Sequence, residues 1–304
     1  MEPPLKKGAG GFAVAPNIED FQIPLSPPLL KGEEEHTPEM QHAIGVFDSG
    51  VGGLSVLHHI RQELPNERLI YVADSGHVPY GDKPASYIEQ RSLVLTRFLI
   101  EQGAKAIVIA CNTATAAAAA TLRAYFNFPV VAMEPAVKPA VSATKSGVVG
   151  VLATVGTLES ARFAALLERY AGEVEIVTQG CPGLVEQVEQ GDLTSTQTRE
   201  LIVRYTAPLL ACGADTLILG CTHYPFLIPL IAEVVGPDIV LVDTGAAVAR
   251  QLHRRIQTEL PVRPPCTIAD VQFWSSGDAA QASRIISMLW GEEIIARQLP
   301  YEFL

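Results

Sequence analysis

The chain is poor in charge, and the charge it carries leans one way. Charged residues make up 18% of its 304 positions, with 22 Lys and Arg against 33 Asp and Glu and a formal net charge of −11. No basic stripe appears, which argues against nucleic-acid binding. An anionic ligand would therefore be held by local donors, not by the overall field. No apolar run reaches the roughly 18 residues of a membrane span, and no signal-peptide core follows the start. The five cysteines include no C-x-x-C pair and do not resemble a secreted disulfide scaffold, which favours a reducing cytoplasm. Neither G-x-G-x-x-G nor a G-x-x-x-x-G-K-[ST] loop occurs, which removes the usual dinucleotide and P-loop signatures.

What is there is apolar and long. Hydrophobic residues reach 48%, ample for sizeable cores, and the length suggests about two domains. The first forty or so residues differ from the rest. They are rich in Pro, Gly and Glu, with Pro27-Pro28 and Glu33-Glu34-Glu35, and lack periodicity. Such a segment buries too little apolar surface to offset ordering entropy, so residues 1–41 are expected to be a disordered N-terminal extension. Met40 stands just before the first strand, so the tail reads as an upstream extension of a compact protein.

From Ala43 the rhythm is strand, turn, helix. Strands are predicted at 43–47, 69–73, 106–110, 130–133, 148–153, 174–177, 216–220 and 239–242. Amphipathic stretches at 54–64, 86–102, 158–170 and 194–211 lie between them. That alternation predicts βαβ units and parallel sheets. The pattern also repeats. Gly103–Thr113 (GAKAIVIACNT) and Gly213–His223 (GADTLILGCTH) read alike at an offset of 110. Each is a Gly-Ala turn, an apolar run and a cysteine followed by small polar residues. Gly45–Ser49 likewise corresponds to Gly150–Thr154, and the run ending in Glu134 to that ending in Asp243. A repeat of this length means duplication, not a solenoid.

The expected fold is therefore α/β, two pseudo-symmetric domains with mostly parallel sheets facing each other across a cleft. Residues 42–136 with 246–304 would form the first domain and residues 137–245 the second. In such sheets ligands bind beyond the carboxyl ends of the strands. Cys111 and Cys221 fall there, one on each side of the shared cleft, so one thiol can remove a proton from a carbon while the other returns one to the opposite face.

The neighbouring loops supply further candidates. Asp48-Ser49-Gly50-Val51-Gly52-Gly53 opens a helix, and its backbone N–H groups could cradle an anion; equally, the glycines could only make a tight turn and Asp48 only cap the helix. Cys111 precedes an alanine-rich helix whose dipole favours a thiolate, and Asn112 and Thr113 add donors for a carboxylate. A buried inert cysteine is the competing reading for either thiol; the matched positions in two halves weigh against it. Cys181, Cys212 and Cys266 lack this context and are assigned to structure. Cys181, Cys221 and His223 together make only a weak zinc pattern. His58, His59 and His253 fall in helical stretches and are expected at the surface. His77 and Tyr80-Gly81 lie in the loop 74–83, read as a cleft wall or lid. Glu186 and Glu189 sit one turn apart on one helix, where carboxylates usually face solvent.

Taken together, these motifs resemble glutamate racemase of bacterial cell-wall synthesis from about Ile44 to the end. The matching segments are Gly45–Gly53 (GVFDSGVGG), Ala73–Gly81 (ADSGHVPYG), Ala110–Thr115 (ACNTAT), Gly180–Val185 (GCPGLV) and Leu219–Phe226 (LGCTHYPF). Five motifs in order make the resemblance specific. It implies cofactor-independent interconversion of L- and D-glutamate, supplying D-glutamate for peptidoglycan, by a cytoplasmic enzyme that is often a homodimer. It implies Cys111 and Cys221 as catalytic thiols, with Asp48 beside the first and Glu189 and His223 beside the second. Substrate contacts carry over to Asp48, Ser49, Tyr80, Gly81, Asn112, Thr113, Thr222 and His223. No metal and no pyridoxal phosphate are expected; the lysines nearest the motifs, Lys83, Lys105 and Lys138, do not end strands as the cysteines do. Three other readings share the pattern: a racemase of aspartate or a related acid, a thiol redox or zinc protein, and a non-catalytic amino-acid-binding protein.

Overall fold

A computed structural model describes residues 43–170, 172–260 and 270–304. The expected N-terminal extension and Cys266 lie outside the described residues. Two parallel sheets carry the fold. The first has six strands in the order β10-β9-β2-β1-β3-β4, from β1 (Ala43–Asp48), β2 (Leu69–Ala73), β3 (Ala104–Ile109), β4 (Val130–Ala132), β9 (Val271–Ser275) and β10 (Arg297–Gln298). The second has four in the order β6-β5-β7-β8, from β5 (Val148–Ala153), β6 (Glu175–Gly180), β7 (Thr216–Leu219) and β8 (Val240–Val242).

Put β5 on β1 and the two orders coincide, 2-1-3-4 in each, which is the duplication made visible. The central strands β1 and β3 are almost wholly buried, as runs without polar alternation demand. Gly103 and Gly213 occupy the same place in each half, with φ of 85° and 87°. That left-handed turn lets each chain leave a helix and enter a cysteine-bearing strand, and a side chain there would be strained.

Helices cover the sheets: α1 (Leu54–Glu63), α2 (Ala85–Glu101) and α3 (Asn112–Tyr125) follow the first strands. α4 (Val137–Ala143) leads into the second half, which adds α5 (Val155–Leu158), α6 (Ala161–Glu168), α7 (Leu184–Gln190), α8 (Thr196–Ala211) and α9 (Ile228–Val235). α10 (Gly245–Glu259) and α11 (Ala279–Trp290) return to the first half, and β9 pairs with β2 from Leu69↔Val271 to Ala73↔Ser275. Among the described helices none is long and apolar enough to cross a membrane.

Two differences from the sequence reading have local causes. The single stretch expected over 158–170 is broken, because Ser160 accepts a hydrogen bond from the Phe163 N–H and starts a new helix. The three helical histidines are half-buried: His58 stacks on Trp290 with ring centroids 4.1 Å apart, and His253 Nδ1 lies 2.7 Å from Glu63.

Candidate active site

The cysteines end β3 and β7 and line one cavity between the two sheets. Its walls also carry Ser49, Tyr80, Gly81, Asn112, Thr113, Thr222 and His223. The cavity has a volume of only about 10 Å³, room for about one water molecule. Glutamate can enter only if the sheets separate.

Around Cys111 the elements are tight. Cys111 is the N-cap of α3, and its sulfur accepts from the Ala114 N–H at 3.5 Å. Its Sγ lies 3.8 Å from Ser49 Oγ, which in turn donates to Asp48 Oδ1 at 3.2 Å. Burial pushes the Cys111 thiol well above its ordinary range, and the Asp48 charge adds to this, outweighing the helix N–H. The helix N–H favours the thiolate as the sequence suggested, but burial is the larger effect, so this thiol holds its proton tightly. Asp48 is also raised, chiefly by burial, against the opposing pull of His223.

In the glycine loop the backbone N–H groups meet the protein's own carboxylates. Asp48 accepts the N–H groups of Ser49 (2.7 Å) and Gly53 (2.6 Å), while Glu189 accepts that of Val51 (2.7 Å). Three donors that could have cradled a ligand anion instead orient acid–base side chains.

Around Cys221 a linear relay forms. Cys221 Sγ stands 3.6 Å from His223 Nδ1, and His223 Nε2 stands 2.6 Å from Glu189 Oε1. Burial alone would lower His223, but its hydrogen bonds to Cys221 and Glu189 more than offset this and hold it well above the ordinary imidazole value. Of the two candidate carboxylates on α7, Glu189 is the one that turns inward to His223. Gly52 makes this possible, since a Cβ there would come within 2.2 Å of His223 Nδ1.

The halves are stitched together at the site. Thr222 Oγ1 donates to Asp48 Oδ2 at 3.2 Å, and Ser55 Oγ donates to the Thr222 carbonyl at 2.8 Å. Asn112 Nδ2 donates to the Gly220 carbonyl at 2.8 Å, leaving its buried Oδ1 without a partner. Asn112 therefore offers an acceptor, suited to an ammonium group, where the sequence suggested a carboxylate donor. Tyr80 is fixed from behind: its hydroxyl donates to Asp74 at 2.6 Å, and Asp74 is held by Arg91 at 2.8 Å. Gly81 packs against Thr154 so closely that a Cβ on the glycine would lie 3.1 Å from that of the threonine.

The candidates line this cavity except Asp48 and Glu189, which stand behind Ser49 and His223 and reach it only through them; Asp48 is fully buried and not placed to touch a ligand. Sequence reasoning missed Thr154 and Thr157, whose hydroxyls form a triangle with Thr113 at 2.9 to 3.2 Å. The repeat held the clue, because Thr154 aligns with Ser49. Ser75, Asp74 and Arg91 carried no such signal. Cys181, 2% exposed, donates to the Gln179 carbonyl, and burial pushes its thiol up to about 12. Among the described residues no three His, Cys, Asp or Glu side chains converge as metal ligands.

The chain has counterparts among known proteins. A profile for Asp/Glu/Hydantoin racemase matches residues 44–252. A glutamate racemase of Methylococcus capsulatus is 59% identical over 263 residues, covering 86% of this chain and 97% of the relative. A glutamate racemase of Pseudomonas aeruginosa is 59% identical over 250 residues, covering 82% and 94%. Among solved structures, a glutamate racemase isoform of Bacillus anthracis superposes with a TM-score of 0.79 at 30% identity over 86% of this chain and 99% of that one. The Escherichia coli glutamate racemase, solved with L-glutamate and the activator UDP-MurNAc-Ala, gives 0.75 at 32% identity over 85% and 97%. On the extent of these matches, and on a fold they share from end to end of the described halves, the chain belongs to the Asp/Glu/Hydantoin racemase family, in its glutamate racemase branch.

Proposed function

We propose that this racemase interconverts L- and D-glutamate without a cofactor by two-base proton transfer through Cys111 and Cys221, and that its product D-glutamate feeds peptidoglycan synthesis. The observation that carries this reading is that two thiols, at matched strand ends of a duplicated fold, line one cavity.

The α-hydrogen of an amino acid is very weakly acidic, so a strong, desolvated base must meet a stabilised carbanion. Cys111 suits the first demand, since burial makes its thiolate costly and therefore basic. For one enantiomer Cys111 enters as thiolate and takes the α-proton while the Cys221 thiol delivers one to the opposite face. For the other enantiomer the roles exchange. Ser49 and Asp48 serve the first thiol, and His223 with Glu189 the second. The Asn112 Oδ1 is available to the substrate ammonium, and the hydroxyls of Ser49, Thr113 and Thr222 are available to its carboxylates. Together they would hold Cα between the sulfurs. The hydrogen bonds that now join the halves exchange for bonds to the ligand as it enters. We assign residues 42–136 with 246–304 to one moving body and 137–245 to the other, and the reaction to the cytoplasm, where thiols stay reduced.

The test is incubation with L-glutamate in deuterated water without added cofactor. D-glutamate carrying deuterium at Cα is expected, and Cys111→Ala should lose roughly a thousandfold or more in both directions. Full activity in that variant removes the two-thiol account. A panel of acidic enantiomers checks the substrate, and preference for aspartate would overturn glutamate.

A further inference from the structure

The two thiols are buried alike, but the carboxylates behind them differ in exposure. Asp48, behind Cys111, is 0% exposed. Both its oxygens are engaged, by Ser49, by the Gly53 N–H and by Thr222. Glu189, behind Cys221, is different. Its Oε1 faces His223 and the Val51 N–H. Its Oε2 turns the other way, 3.5 Å from Ser75 Oγ, and the side chain keeps 12% of its exposure. There it forms part of the wall of a second cavity of about 220 Å³, with Val51, Ser75, Glu186, Gln281 and Ala282. That cavity has room for many waters where the first has room for about one.

We infer that this second cavity, which shares Pro79 and Val185 with the first, is a proton port for Cys221 alone: water in it exchanges protons with Glu189, which passes them through His223 to the thiol. The inference rests on the two-cysteine reading above. After a turnover in which Cys221 has taken the α-proton, that thiol must return to thiolate before the same direction can run again. Cys221 Sγ–H gives its proton to His223 Nδ1, and the resulting imidazolium, the form that the contacts with Cys221 and Glu189 favour, gives its Nε2 proton to the Glu189 carboxylate. The carboxylic acid then loses a proton to water in the cavity. The sulfur keeps the electron pair of the broken S–H bond, one proton leaves the relay, and no other species is consumed. When Cys221 must be recharged as a thiol, the same steps run backwards. Cys111 has no equivalent path, so its proton is exchanged only when the cleft itself opens.

The architecture makes the port testable by supplying its carboxylate from solution. Glu189→Ala removes the acid and leaves a slot next to the Val51 N–H and His223 that opens on the cavity. The expected loss in kcat is roughly a hundredfold, and formate or acetate should restore about tenfold of it, saturably, without accelerating the wild type. Asp48→Ala should not respond, since no cavity reaches that carboxylate. Glu189→Gln fills the slot with an amide and should be slow but not rescued; it also covers the case in which the alanine variant folds poorly. Gln281 is exposed on α11 at the cavity wall. Gln281→Trp should lower wild-type kcat several-fold while leaving KM for glutamate within about twofold, and should block acetate rescue in the Glu189→Ala background, since both use the same path. Three results overturn the port: no rescue of Glu189→Ala, equal rescue of Asp48→Ala, or rescue that survives Gln281→Trp. A wild type that racemises normally while rescue fails sinks the port alone. A wild type that does not invert glutamate sinks the functional reading, and the port with it.

Discussion

At the scale of single residues, the site is organised by which donors are already committed. Asn112 shows this best. Its amide nitrogen is used up on the Gly220 carbonyl, so only an acceptor remains for a ligand. Arg91 shows the same logic in a supporting position. Only 7% exposed, it binds Asp74 through two nitrogens and also donates to the Phe303 carbonyl. Asp74 in turn accepts the Tyr80 hydroxyl, so the cleft wall depends on a buried guanidinium outside it. Arg91→Ala leaves Asp74 buried and unpaired, and is expected to cost about 3–5 kcal/mol. Urea denaturation measures it. A loss below about 1 kcal/mol would show that the ion pair does not hold this wall.

At the scale of elements, the loop between β1 and α1 decides whether the Cys221 relay can form. Its residues are small because the second half presses against it. Gly52 faces His223, and Gly50 faces the Glu189 carboxylate, where a Cβ would come within 3 Å of three of its atoms. Gly52→Ala should therefore push the imidazole out of line while the buried strand and helix on either side remain. Racemisation is expected to fall by roughly a hundredfold, with a far-ultraviolet circular dichroism spectrum unchanged. Unimpaired activity would mean that the His223 contact is not needed. Elements also show where a sequence reading stops. The strands from β1 to β8 sit within a few residues of their predicted places, and the pairs β1/β5, β3/β7 and β4/β8 are copies of one another in the two halves. β9 and β10 have no copy, and β10 is two exposed residues; nothing in composition or repeat marks them. The break at Ser160 was missed because one capping hydroxyl, invisible to periodicity, decides it.

At the scale of the whole molecule, three buried groups tilt stability in the same direction. His223, Asp48 and Cys111 all hold protons more tightly when folded than when unfolded. A raised folded pKa contributes stability that is complete below the unfolded value and is lost as pH rises through the folded one. For His223 the loss begins at its ordinary value of 6.5, and for Cys111 the same sign applies above 9.0. The urea midpoint is thus expected to decline as pH rises above 3.8, where the Asp48 contribution begins to be lost, and further from about pH 6.5 through His223. In His223→Asn the part of that decline that begins near pH 6.5 should disappear. A profile flat to about pH 9, or a variant with the wild-type slope, would contradict the assignment.

Much of this was legible in the chain itself. Apolar runs, Gly-Ala turns and their repetition determined two similar parallel sheets with a cysteine at the carboxyl end of one strand in each, because strand burial and helix starts are encoded within a dozen neighbouring residues. What the chain could not express locally was partnership. Glu189 reaches the Val51 N–H across 138 positions of sequence, and Thr222 reaches Asp48 across 174. Whether Glu186 or Glu189 meets His223, which groups the glycine-loop N–H donors meet, and which of Asp48 and Glu189 borders the larger cavity are set by how two halves meet. Such contacts depend on distance and direction in space, and only the folded chain supplies those.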